Sequence, residues 1–192
     1  MTDDIQVRRI GADEVDQRLE RLADILIDCV ANGDSVSFLP PLTRRRARVY
    51  WRSVADAVIC NGCALLAAED GAGQIVGTTQ MVPATSENQL HSARVVKVLV
   101  ERSARRRGIG RRMLRAVSEL ARKEGKTLLT LSTTTGSAAE RLYASSGWAS
   151  SPGVCSPLTA HIARRPSSTS ISDTTKLASR LLFTDHICPV PF

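Results

Sequence analysis

A chain of 192 residues has room for one domain with a full hydrophobic core, or one domain and a tail, but not for two independent domains. Hydrophobic residues make up 43% and aromatics only 4%, which describes a globular protein with an aliphatic core and excludes global disorder. The net charge of +7, from 26 basic and 19 acidic residues, favours anionic partners such as nucleotides, phosphorylated cofactors or nucleic acid without choosing among them.

No apolar run reaches the roughly 18 to 20 residues of a membrane helix. The start "MTDDIQVRRI" is acidic where a secretory signal is basic and then apolar. The expectation is a cytoplasmic protein with no membrane partner. Five cysteines (Cys29, Cys60, Cys63, Cys155 and Cys188) are odd in number and scattered, which argues against a disulfide framework. Cys60 to Cys63 has CxxC spacing, but no second pair completes a zinc site and Asn61-Gly62 reads as a helix terminator. No metal site is expected.

In chain order, "IQVRRI" (5–10) predicts a first strand. Val15, Leu19, Leu22, Ile25 or Leu26, and Cys29 recur at helical spacing through "EVDQRLERLADILIDCV", and Asn32-Gly33 ends that helix. "GDSVSFLPPL" (33–42) is an irregular loop, and Thr43 can cap a second helix running to about Cys60. "CALLAAED" and "QIVGTTQMV" around Gly71-Ala72-Gly73 predict a hairpin, and "SARVVKVLV" (92–100) a third strand of the same sheet. "KTLLTLST" (126–133) is a further strand, and Gly136-Ser137 opens a short helix that Gly147 closes. The order β, α, α, β, β, β, α, β, α indicates an α/β or α+β layer domain.

Between the last two strands lies "VERSARRRGIGRRML", a cluster of seven arginines counted to Arg115. Ile109, Met113, Ala116, Val117, Leu120 and Ala121 form one apolar helix stripe, so Arg112, Arg115, Arg122 and Lys123 fall on or near a solvated face. Arg105, Arg106 and Arg107 instead precede the helix, beside Gly108 and Gly110. A helix N-terminus leaves about four backbone N–H groups unpaired and partly positive, and glycine lets a phosphate approach them. The GK[ST] ending of an NTPase loop and the third glycine of a dinucleotide fold are both absent.

Strand, R-x-x-G-x-G and amphipathic helix, in that order, resemble the pyrophosphate-binding motif of the GNAT family of N-acetyltransferases. With "TLLTLST" and "AERLYASSGW" following, the resemblance covers about residues 5–148. It is strongest to small-molecule acetyltransferases related to the tabtoxin-resistance protein. The resemblance implies a mixed, mostly antiparallel central sheet flanked by helices. It also implies acetyl-CoA as co-substrate, transfer to the amine of a small molecule, and splayed middle strands that admit the pantetheine arm. Leu99 and Val100 would bond that arm through their backbones, Arg105, Arg106, Arg107, Gly108, Ile109, Gly110 and Arg111 would hold the pyrophosphate, and Tyr143 would protonate the leaving thiolate. Self-association into a homodimer is left open.

Two departures from the family qualify these expectations. Arg94 stands where related enzymes carry an acid on the strand before the phosphate loop, and Ser132 where they carry an aspartate, so Glu87 or water is left to take the amine's proton. Residues 149–192 contain eight Ser, five Thr, five of the eight Pro and no Glu, which predicts an atypical tail of loop or disorder. An unrelated extension or a shifted reading frame near residue 149 would explain it, with loss of the family's last strands. The competing readings are a catalytically impaired acyl-CoA-binding protein and a nucleic-acid-binding module. The arginine stretch carries no aromatic stacking residues, which counts against the latter.

Overall fold

The computed structural model describes residues 4–34, 36–150 and 157–161. The alternation of β2 (Ala64–Glu69) organises the molecule, because every residue of this strand is buried and successive side chains enter opposite cores. Leu65 and Ala67 join a cluster with α1 (Ala12–Gln17), α2 (Leu19–Ala31) and α3 (Arg44–Ile59). Ala64 and Leu66 face a second cluster, built with α4 (Ile109–Lys123) and α5 (Ala138–Ala144). The result is a sheet with helices on both faces.

The remaining strands are β1 (Gln6–Ile10), β3 (Ile75–Pro83), β4 (Ser92–Val100), β5 (Leu128–Ser132), β6 (Ala149–Ser150) and β7 (Pro157–His161). The sheet order is β1-β2-β3-β4-β5-β7-β6. Neighbours pair antiparallel except β4 and β5, which run parallel with α4 as their crossover. This is the mixed, mostly antiparallel sheet that the resemblance implies.

The helix caps follow the sequence. Thr43 accepts the Arg46 N–H at 3.3 Å to start α3, and Ser137 accepts the Glu140 N–H at 3.1 Å to start α5. Asn61 adopts a positive φ of 55° and Gly62 donates to the Ala57 carbonyl at 2.8 Å, ending α3 as the terminator reading expects. On α4, Ile109, Met113, Leu114, Val117 and Ala121 are buried while Arg112, Arg115, Arg122 and Lys123 are exposed.

Two expectations need correction. The helix expected as continuous from about Glu14 is two helices, broken at Arg18, whose guanidinium reaches Glu69 at 2.6 Å and the Gly73 carbonyl at 3.0 Å. The family's last strands are also not all lost after Trp148, since β7 pairs with β5 over Leu128–Ser132 and β6 pairs with β7. An average over a Ser/Thr/Pro-rich stretch conceals the five residues of β7. Pro157 is compatible with a strand at its first position, and β5 would otherwise present an open edge. Residues 151–156 and 162–192 of the expected atypical tail lie outside the described residues. Among the described residues, no helix is long and apolar enough to cross a membrane.

Candidate functional site

The sheet opens in its middle. β4 and β5 pair only from Ser92 to Arg94 against Leu128 to Thr130, and beyond Arg94 the β4 edge has no neighbouring strand among the described residues. The opening is a cleft of ≈ 1730 Å³, which exceeds the volume of a typical small-ligand pocket and suits two reactants. Val98 and Val100 of β4, the loop before α4, Ser132 to Thr134 and Tyr143 all line it.

Backbone direction along β4 decides which groups face the cleft. Glu101 donates its N–H to the Val76 carbonyl at 3.0 Å, so by alternation Leu99 also addresses β3 while Val100 addresses the opening. Leu99, expected from the resemblance to meet the pantetheine arm, is instead turned toward β3, with its side chain buried beneath α1 to α3. Val98, absent from the sequence reading, lines the cleft with Val100.

A bulge produces this geometry. Thr78 pairs with Leu99 and Gln80 with Val96, so β4 carries one extra residue there, and Lys97 adopts a positive φ of 51°. Gly77 permits the close approach alongside it, since a Cβ at that position would lie 2.8 Å from the Leu99 carbonyl oxygen.

At the mouth of the cleft stands the N-terminus of α4. Gly108 is its N-cap with φ 76°, Arg106 has φ 66°, no side chain caps the helix and no acidic residue occupies the first turn. Arg112 donates to the Gly108 carbonyl at 3.1 Å, so the N–H groups of Ile109, Gly110 and Arg111 have no acceptor within the helix. Ile109 is buried and contributes only its backbone. Gly110 packs under α5, where a Cβ would meet Leu142 Cδ2 at 2.7 Å.

The arginines expected to hold phosphate divide. Arg105 is committed to the fold, because its guanidinium pairs with Asp34 and its Nε donates to the Val100 carbonyl at 3.0 Å. Arg106 is exposed on the rim, Arg107 is exposed within the same turn, and Arg111 reaches Ser145 Oγ at 3.5 Å. α2 anchors the loop from below: Asp28 accepts the Arg102 N–H at 2.7 Å, and Arg21 grips Glu101 through two bonds of 2.8 and 2.7 Å.

Tyr143 is buried against Trp148, with ring centroids 6.3 Å apart, and its hydroxyl makes no hydrogen bond within the described residues. Burial, with a smaller effect of the Asp34 charge, pushes the phenol up to about 12 and keeps it protonated near neutral pH.

The opposite wall holds groups the sequence reading passed over. Lys97 donates to the Val36 carbonyl and stands 5.0 Å from the Phe38 ring centroid and 5.4 Å from that of Tyr50. Burial, and to a lesser degree the Arg94 charge, lowers its ammonium to about 8. Gln80, fully buried, donates to the Tyr50 hydroxyl at 2.8 Å and leaves that O–H free to donate elsewhere. The available signal was a single charge within the apolar run "VVKVLV". Arg94 and Ser132 line the cleft, whereas Glu87 is exposed on the short turn Glu87–Gln89 and does not.

Residues 61–150 match the acetyltransferase (GNAT) domain family. Similar solved structures include a provisionally assigned phosphinothricin N-acetyltransferase (17% identity, 84% of this chain and 100% of that one, TM-score 0.67). A second is the ribosomal-protein-alanine N-acetyltransferase of Brucella melitensis (25%, 81% and 99%, TM-score 0.64). A third is yncA of Salmonella typhimurium, a provisionally assigned acetyltransferase solved with its cofactor acetyl-CoA (15%, 84% and 95%, TM-score 0.65). The family match spans the open β4 edge and the bare N-terminus of α4, and the fold shared with the solved structures extends to the strands and helices in front of them: residues 61–150 are similar to the acetyltransferase (GNAT) domain, and the chain has the fold of these acetyltransferases.

Proposed function

We propose that the protein is a cytoplasmic N-acetyltransferase that uses acetyl-CoA to acetylate the amine of a small molecule. The observation that carries this reading is the unpaired β4 edge running into an uncapped helix N-terminus within one cleft. That combination suits acetyl-CoA on two counts. An extended amide-bearing arm can add to an open strand edge, and a pyrophosphate can take the free N–H groups of Ile109, Gly110 and Arg111. The arginine rim adds a favourable field. Bound there, acetyl-CoA supplies an activated acetyl thioester.

The chain's own groups then have separable tasks. Val98 and Val100 hold the arm through backbone groups and present an N–H to the thioester oxygen, where negative charge develops during attack. Tyr143, protonated and without a hydrogen-bond partner among the described residues, donates a proton to the departing sulfur. The acidic side chains described in the cleft are Asp34, paired with Arg105, and Asp56, exposed on α3. Water is therefore assigned to remove the amine's proton.

Calorimetry of the full chain with acetyl-CoA, followed by thiol release with a panel of small amines, tests this. Micromolar binding and release that depends on the amine are expected. Binding without release by any amine would support the acyl-CoA-binding reading, which Arg94 and Ser132 in the cleft wall favour. Absence of binding would sink both.

A further inference from the structure

The acceptor wall of the cleft is cationic and uncompensated. Arg94 and Lys97, three residues apart on β4, both line it, and neither forms an ion pair among the described residues. The two feel each other as like charges. Of the described acids in the cleft, Asp34 is taken by Arg105, and Asp56 lies exposed on α3 without pairing to either cation.

Holding two cations together in a partly buried wall raises the energy of the empty site, and the effect is larger there than at an open surface. A purely cationic amine entering along this wall would meet repulsion from both. A ligand oxyanion would instead relieve the repulsion between them. The donors such a group needs are present. Lys97 spends one N–H on Val36 and faces the Phe38 and Tyr50 rings with part of its surface, leaving donor capacity toward the cleft. Arg94 has a planar fork unbonded within the described residues, a geometry matched to two oxygens of one group. Tyr50 keeps its O–H because Gln80 already donates to it.

We propose that the acceptor is a small amine that also carries a carboxylate or comparable oxyanion, and that Arg94 and Lys97 bind this oxyanion while the amine is directed to the open β4 edge. This rests on the acetyltransferase reading for the fate of the amine, but not for the binding of the anion. The bulge that gives Lys97 its positive φ also serves this arrangement: it shifts β4 by one residue between Val96 and Leu99, next to the segment whose backbone faces the cleft. Arg94 and Lys97 then act as specificity-determining residues that touch the substrate.

The test pairs each of a set of amino acids with its primary amide. With acetyl-CoA saturating, kcat/KM for thiol release should favour the acid form at least 10-fold. Arg94→Gln and Lys97→Met should each raise KM for the acid form about 10-fold, with little change for the amide and none in acetyl-CoA affinity. Lys97→Arg should retain most of the preference. Independently of turnover, the N-acetyl amino acids and their amides are titrated calorimetrically into the full chain loaded with CoA. Acid forms should bind at least 10-fold tighter, and both charge-removing variants should abolish the difference. Arg94 is exposed, so its variant keeps the test valid if Lys97→Met folds poorly. Equal binding of acid and amide, binding of neither, or variants that weaken both alike would overturn the proposal. A chain that binds the acids but turns over nothing would instead overturn the acetyltransferase reading and leave the anion site standing.

Discussion

The two walls of the cleft are built from different materials. The wall assigned to the cofactor is backbone: an unpaired strand edge and three helix N–H groups, shaped by Gly77, Gly108 and a bulge. The wall assigned to the acceptor is side chain: Arg94, Lys97, Tyr50, Gln80 and Ser132. A backbone site depends on where glycine is allowed and where hydrogen bonds are left unmade, and it tolerates any side chain that does not intrude. A side-chain site changes its ligand with each substitution. One wall can therefore stay fixed while the other is altered.

The sharpest division between the walls is expected at Tyr143. Its replacement by phenylalanine should lower kcat about 100-fold while leaving acetyl-CoA affinity within about twofold, because proton donation to the leaving group is lost and the buried ring remains. Parallel calorimetry and steady-state kinetics check this, and a tenfold loss of affinity would mean that Tyr143 supports binding instead.

Gly77→Ala tests whether the backbone wall needs its glycine. A Cβ placed 2.8 Å from the Leu99 carbonyl oxygen must displace β4, and Met113 at 3.4 Å limits the alternatives. A loss of about 2 kcal/mol in urea unfolding is expected, with weaker acetyl-CoA binding in the fraction that folds.

Lys97 provides the pH dependence. Its ammonium has an unfolded value of 10.5 and a folded value of about 8, lowered by burial and by Arg94, with Tyr50 the other titratable group against it. Below pH 8 the proton is bound in both states, and the fold bears the full cost of the buried charge. Between about 8 and 10.5 the unfolded chain binds more protons, so stability rises with pH. Measured relative to Lys97→Met, which cancels the other titrations, the wild type should gain roughly 1 to 2 kcal/mol across that window, after allowance for the solvent that still reaches the side chain. A flat difference would show that the ammonium is no more desolvated in the fold than in the unfolded chain.

Gly108→Ala should have the smallest effect, about 1 kcal/mol, because alanine at φ 76° is strained but nothing lies within 4 Å of its Cβ. A several-fold weaker acetyl-CoA affinity, with unchanged KM for the amine, would keep this effect on the cofactor wall.

Legibility in the sequence follows the same division. Gly108 and Gly110 ahead of an apolar stripe mark the helix start because only particular residues fit that backbone, and Tyr143 comes from a recognisable helix. Arg105 misleads because a cation in a phosphate loop and a cation tied to Asp34 have the same one-letter appearance, and the partner lies 71 residues away. The strand β7 is hidden because five ordinary residues become a strand only when β5 offers them an edge.

By itself, the sequence determined the element order from β1 to α5 apart from the break at Arg18, the polar and apolar faces of α4 and the bare N-terminus behind two glycines. These depend on periodicity and local backbone preference, which act over a few residues. Only the tertiary structure decided that the sheet opens past Arg94, that Val98 and Val100 rather than Leu99 line the opening, and that Arg94 and Lys97 share a wall without an ion pair among the described residues. Each of these depends on strand register and on contacts between residues distant in the chain, and a register is fixed only when the whole sheet packs.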